Sequence, residues 1–249
     1  MNSFKRILIL TKRNIKEIVR DPLSIIFLIA LPLLMQIMFY FLFHTKTSQF
    51  EMKYLAPGIV VFSQSFLTLF TGLLISVDRS SSFLTRLYVS KAKSYEFIFS
   101  YALSVLPLAL IQAILFFLVG GIIDSSLFSI TMLPAMLLSV ITSLFFIAMG
   151  ILFGSICNER SVGGVTSIII SSQSLLSGIW FPIDEMSGGF ITFMEILPFR
   201  NASLLVQNTL IGINDIFNDF FKPLLILLGY IVVAFVIAII LFKKKMKNK

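Results

Sequence analysis

Residues 161–199 read SVGGVTSIIISSQSLLSGIWFPIDEMSGGFITFMEILPF. An apolar segment striped with Gly, Ser and one Gln runs to Trp180-Phe181-Pro182, gives way to an amphipathic piece, and closes on Leu197-Pro198-Phe199. A helix needs about 20 mostly apolar residues to cross a bilayer. This one has that length and is polar along one side, which points to a path lining more than to a plain anchor.

The rest of the chain supports a membrane setting. Of its 249 residues 57% are apolar and 13% charged, and the mean hydropathy is +0.98. A soluble domain carries about 25% charged residues, so this composition could not clothe a water-facing surface. A single integral membrane domain over residues 1–249 is the economical reading. Lone Cys157 excludes an internal disulfide and a multi-cysteine metal site, and lone His44 excludes a histidine cluster. Lys5, Arg6, Lys12, Arg13, Lys16 and Arg20 are scattered through residues 1–22. No cleavable signal peptide is expected there.

Residues 3–20 predict an amphipathic helix. Phe4, Ile7, Leu8, Thr11, Ile15, Ile18 and Val19 fall near helical spacing and cations occupy the other side. Such a helix lies in the membrane interface; a basic leader held only by charge sorting is the blander alternative. Asp21-Pro22 then turns the chain inward, because proline is tolerated in a first helical turn. Six apolar stretches follow, at about 23–43, 55–77, 97–119, 130–154, 162–181 and 223–242. Pro32 and Pro107 should kink the first and third, with neighbouring helices satisfying the freed carbonyls.

Charge sets the orientation. With the N-terminus inside, sixteen of the twenty Lys and Arg fall on the cytoplasmic side, and only Lys46, Lys53, Arg200 and Lys222 lie outside. Seven of the twelve acids fall outside. Six spans with both termini cytoplasmic follow. The net charge of +8 belongs to the membrane face and calls for no nucleic acid.

Three groups of residues invite a role. In 78–96, DRSSSFLTRLYVSKAKSYE, Ser80 to Ser82 can cap a short helix whose Phe83, Leu84, Leu87 and Tyr88 form an apolar face rimmed by Arg79, Arg86, Lys91 and Lys93. It suits insertion into a groove on a cytoplasmic partner, or an ordinary loop dipping aromatics into headgroups. The second group is polar. Gly164, Ser167, Ser171, Ser174 and Gly178 share a face in the fifth stretch beside Gln173, and Gln64, Ser65, Thr68, Gly72 and Ser76 recur in the second. They read either as close packing or as a conduit, with Gln64, Ser65, Thr68, Ser171, Gln173 and Ser174 as the conduit candidates. In the fourth stretch, Ser139, Ser143, Gly150 and Gly154 read as packing. The third group is the break at Trp180, Phe181 and Pro182.

Arg20-Asp21-Pro22, Leu31-Pro32, the pattern Asp78-Arg79-x-x-x-Phe83-Leu84-x-Arg86-Leu87, Ser177-Gly178-Ile179-Trp180-Phe181-Pro182 and Leu197-Pro198 occur in a set order relative to the six stretches. Together they resemble the permease subunit of type-2 ATP-binding-cassette exporters, most closely the daunorubicin-resistance, multidrug-like branch. The chain departs from many relatives at Ser82, where they carry Gly, and at Val89-Ser90-Lys91, where they carry a Pro.

The resemblance implies an all-α protein of six transmembrane helices in a bacterial plasma membrane. It implies that 78–96 is a coupling segment seated on a separate cytoplasmic ATPase, with Arg79, Phe83, Leu84, Arg86, Leu87 and Tyr88 at the contact. It implies a second permease copy or a sister permease, and a re-entrant outer-leaflet cap at 183–199. Trp180, Phe181, Pro182 and Pro198 are then outer-gate candidates.

No phosphate-cradling G-x-x-x-x-G-K-[ST] run and no Gly-Lys pair occur, so the chain is expected not to be an ATPase; ATP and Mg belong to the partner. Met186-Ser187-Gly188-Gly189-Phe190 superficially resembles a cassette signature but falls outside, and reads as a turn. The mostly neutral path suits outward transport of an amphipathic drug, antimicrobial peptide or lipid-like cargo. The alternatives are a polysaccharide or teichoic-acid permease and, in another class, a membrane-embedded enzyme. The enzyme lacks support: His44 and Cys157 lie at opposite faces, and Asp184-Glu185 reads as a solvated acidic pair.

Overall fold

Asp21-Pro22 opens the first long helix as its residue types dictate. In the computed structural model, which describes residues 3–81, 93–181 and 186–247, the Asp21 side chain accepts from the Ser24 amide at 3.3 Å, and Pro22 sits in the first turn, where no amide is needed. Nine α-helices are present among the described residues: α1 (Ser3–Val19), α2 (Pro22–Phe43), α3 (Met52–Ser80), α4 (Ser94–Ile123), α5 (Met132–Ile156), α6 (Glu159–Leu176), α7 (Gly188–Ile196), α8 (Pro198–Ile211) and α9 (Lys222–Lys247). A π-helical turn, Ile216–Phe221, leads into α9.

Five helical stretches are long and apolar enough to cross a membrane: Ser24–Phe43 of α2, α3, α4, α5, and Ile216–Lys244 into α9. The fifth predicted stretch, 162–181, differs. Its helix α6 begins at Glu159 on the Asn158 cap and stops at Leu176, and it is too polar to join the five by composition. Gly178, at φ +77°, takes the left-handed conformation that ends a helix, so Trp180 and Phe181 lie beyond α6. A second difference concerns residues 198–211, of which the sequence places only 198–199 in an element, the expected cap at 183–199. They form α8, bent 88° from α7, and bury Phe199, Ala202, Leu205, Val206 and Leu210 in the core.

Helix α3 runs through the centre. It packs on α5, α6, α4, α2 and α8, and most of its residues are buried. Glycines let α5 approach it. A Cβ on Gly150 would lie 2.6 Å from the Thr68 carbonyl oxygen, and one on Gly154 would lie 2.7 Å from that of Gly72. The packing reading of Gly150 and Gly154 therefore holds. Helices α2 and α9 sit at the periphery, exposing Ile26, Leu34, Met38 and Phe41 from α2 and Val232, Val233, Val236 and Ile240 from α9.

Pro32, inside α2, shows how the interior is closed. Pro32 has no amide, so the Leu28 carbonyl lacks its helical donor. Gln112 of α4, fully buried, donates through Nε2 to Leu28 O at 3.3 Å and to Ser63 O at 3.1 Å, tying α2, α3 and α4 at one point. Gln36 similarly donates to Phe116 O at 3.0 Å. We expect Gln112→Leu to cost about 1–2 kcal/mol by orphaning the Leu28 carbonyl. Pro32→Ala, which restores the amide, should recover much of that loss. Denaturation of the single and double variants in detergent checks it, and a strictly additive result would contradict the staple.

Candidate functional site

The end of the bundle where α1 packs is a charge-clamped cluster. Asp78, only 2% exposed near the end of α3, meets the Arg13 guanidinium of α1 through both oxygens, Oδ2 to Nη1 and Oδ1 to Nη2 at 2.5 Å. Tyr101 of α4 donates its hydroxyl to Asp78 Oδ2 at 2.6 Å. Fully buried Glu96 pairs with Arg6 at 2.8 Å and accepts from the Lys93 amide, closing the first turn of α4. Thr11 Oγ1 reaches Ser100 O at 3.4 Å. Burial opposes the Arg13 charge, but the bond to Asp78 and the charges of Asp78 and Glu17 outweigh it and raise the guanidinium's pKa. Burial, and then the Asp78 charge, push the Glu17 carboxyl above its ordinary range.

Helix α1 thus presents three faces, where the sequence suggested two. Arg6, Arg13, Asn14 and Ile18 turn to the bundle; Phe4, Leu8 and Val19 are exposed apolar groups; Lys5, Lys12, Lys16 and Arg20 form an exposed cationic edge. The paired arginines were not separable by sequence from the free cations. Their spacing of seven, which keeps Arg6 and Arg13 on one face, was the available signal.

Of the coupling candidates, Phe83, Leu84, Arg86, Leu87 and Tyr88 lie outside the described residues. Arg79 donates to Gly154 O at 2.7 Å and Cys157 O at 3.0 Å, closing the C-terminus of α5. It holds the ends of α3 and α5 together next to Asp78.

The conduit candidates separate into two sets. Gln64, Ser65 and Thr68 are fully buried within the bundle. Thr142 donates to Gln64 Oε1 at 3.2 Å, Ser65 bonds Phe62 O, and Thr68 Oγ1 donates to Phe146 O at 3.1 Å. Gln173 is equally buried and donates to Ser203 of α8 at 3.1 Å. The small residues of α6 point elsewhere: Gly164, Ser167 and Ser171 are exposed and Ser174 is half-buried. The face that carries Ser171 and the face that carries Gln173 are therefore different faces.

At the opposite end, Trp180 packs against Phe39 (ring centroids 4.7 Å apart) and Phe62 (5.6 Å), and donates to Ser174 Oγ at 3.0 Å. Phe181 is exposed, buried Pro198 starts α8, and Pro182 lies outside the described residues. Gln49, between α2 and α3, donates to Gly178 O and Ile179 O at 3.0 and 2.5 Å, holding the turn after α6. No group of three metal-ligating side chains occurs among the described residues.

Long apolar helices packed by glycine and hydroxyl contacts, with buried side-chain amides and hydroxyls bonded across helices, define a multi-span, all-α integral membrane protein. Within that class, the family model for the ABC-2 type transporter matches residues 5–211, and the chain belongs to this family. The match begins in α1 and ends with α8. No curated protein matches the chain.

Proposed function

We propose that this chain is the membrane subunit of an ATP-driven exporter in a bacterial plasma membrane, working with a separate cytoplasmic ATPase and having no catalytic activity of its own. The observation that carries the reading is the family match across residues 5–211. Helices α2, α3, α4, α5, α6 and α9 are then the six spans, with both termini cytoplasmic. Helix α1 lies along the inner interface, and α7 with α8 forms a re-entrant pair in the outer leaflet. The excess of Lys and Arg at the α1 end supports this orientation.

A second copy, or a sister permease, meets the exposed Gly164, Ser167 and Ser171 face of α6, and the path runs along that seam. Its neutral lining suits an amphipathic cargo, as in the multidrug-like branch. Coupling enters through residues 82–92. The charge clamp at Asp78 and the Arg79 cap favour this entry, because they tie the preceding helix end to α1, α4 and α5.

Replacing Phe83, Leu84 and Leu87 together by Ala should cut co-purification with the cognate ATPase about tenfold or more, as loss of an apolar anchor does, with the chain still folded. Undiminished co-purification would refute the coupling assignment. ATP hydrolysis by the isolated chain would overturn the division of labour.

A further inference from the structure

The outer end holds a charged group that nothing described so far employs. Arg200, in the first turn of α8, is only 8% exposed, and its Nε and Nη1 are buried without a hydrogen-bond partner among the described residues. Glu195, the acid whose charge it feels, is paired with Lys222 at 3.1 Å. A buried guanidinium that shares its nearest acid with another cation and leaves donors unpartnered is costly, and a bound anion would offset that cost.

Arg200 lines a cavity of about 360 Å³ between the α2–α3 connection, the turn after α6, and α8. Thr47, Ser48 and Tyr54 bring hydroxyls to its wall, while Phe181, Leu204 and Ile211 make an apolar side. Gln207 donates to Tyr54 O, and Asn208 donates to Asp219 O. The guanidinium is the charged group in the lining with unpartnered donors.

We infer that this cavity is a binding site for an oxyanion carried on an apolar body, a phosphate or carboxylate amphiphile, with Arg200 as its fork-shaped anchor. Hydroxyl donors complete the anion's shell and the apolar wall covers the attached chain. Its position on the outer side rests on the orientation proposed above. The site itself does not, so a binding failure and an orientation failure read out separately.

Trp180, the sole tryptophan, adjoins Phe181 and is a built-in reporter. In maltoside micelles, dodecyl phosphate titrated into the purified full chain should change Trp180 emission saturably, and should raise the melting temperature where dodecyl maltoside does not. Arg200→Gln should weaken that binding about tenfold or more, and Arg200→Lys should restore part of it. Without anion, Arg200→Gln should melt no lower than the parent, since it removes a buried cation with unpartnered donors.

Displacement by phosphatidylglycerol assigns the site to a lipid headgroup, and displacement by inorganic phosphate to the free ion. Saturation resisted by both assigns it to an amphiphilic cargo. Identical titrations of parent and Arg200→Gln overturn the site. If Arg200→Gln fails to fold, the parent decides alone: a melting temperature unmoved by dodecyl phosphate overturns the inference.

Discussion

Arg13→Met should lower the stability of the purified chain by about 3 kcal/mol, whereas Asp78→Asn should cost only about 1–2 kcal/mol. The asymmetry comes from where each partner can go. Asp78 is 2% exposed and cannot return to water; without Arg13 its carboxylate keeps the Tyr101 hydroxyl and little else to offset burial. Arg13 keeps about a third of its side chain in water and has Glu17 at 2.6 Å, so losing Asp78 leaves it solvated and partnered. The double variant should be more stable than Arg13→Met alone, because it no longer buries an unmatched charge. Chemical denaturation in detergent, followed by Trp180 emission, measures all three. Equal costs for the two single changes, or simple addition in the double, would mean that the pair is not the buried clamp described.

The largest packing effect is expected at the seam of α3 and α5. Gly150→Ala brings a methyl carbon to 2.6 Å from the Thr68 carbonyl oxygen and 2.7 Å from Thr71 Cβ. The oxygen belongs to a helix backbone and cannot turn away, so the helices must part. Parting them also strains the bonds from Thr68 to Phe146 O and from Thr142 to Gln64. We expect a loss of about 3 kcal/mol or more, at the upper end for overpacking, and poor recovery of folded protein. Gly154→Ala should behave alike, since its Cβ would meet Gly72 O at 2.7 Å. The matched control is Gly229→Ala on exposed α9, where nothing lies within 4 Å. That change should be neutral or stabilise by up to about 1 kcal/mol through helix propensity. Similar outcomes at Gly150 and Gly229 would contradict the seam.

Much of this architecture was legible before any coordinates. Apolar runs of the right length located α2, α3, α4, α5 and α9, since length and hydropathy are what a bilayer selects. Asp21-Pro22 announced the start of α2, with Pro22 in its first turn. Helix α8 escaped because PFRNASLLVQNTLI is short and mixes polar with apolar residues, and only joined to α7 across the 88° bend is it long and apolar enough for a membrane element. The signs were present in Pro198 at its start, Gly212 after its end, and Phe199, Ala202, Leu205, Val206 and Leu210 on one face. Missing α8 also hid the environment of Gln173: its side chain packs under α8 against Ser203, so it shares no face with Ser171. The reach of Gln112 to the carbonyl freed by Pro32 depends on the register of two helices distant in sequence, and no periodicity encodes that. Arg200 looked like an ordinary outside cation because its burial is made entirely by the fold around it.

The bare-backbone contact between α3 and α5 has a mechanical consequence. Where Gly72, Gly150 and Gly154 mesh with carbonyls and Cα atoms, sliding one helix along the other by a residue puts a side chain in a glycine's place. The pair can tilt together but cannot shear. Along the stretch from Thr68 to Ile75 the glycines therefore make α3 and α5 one body.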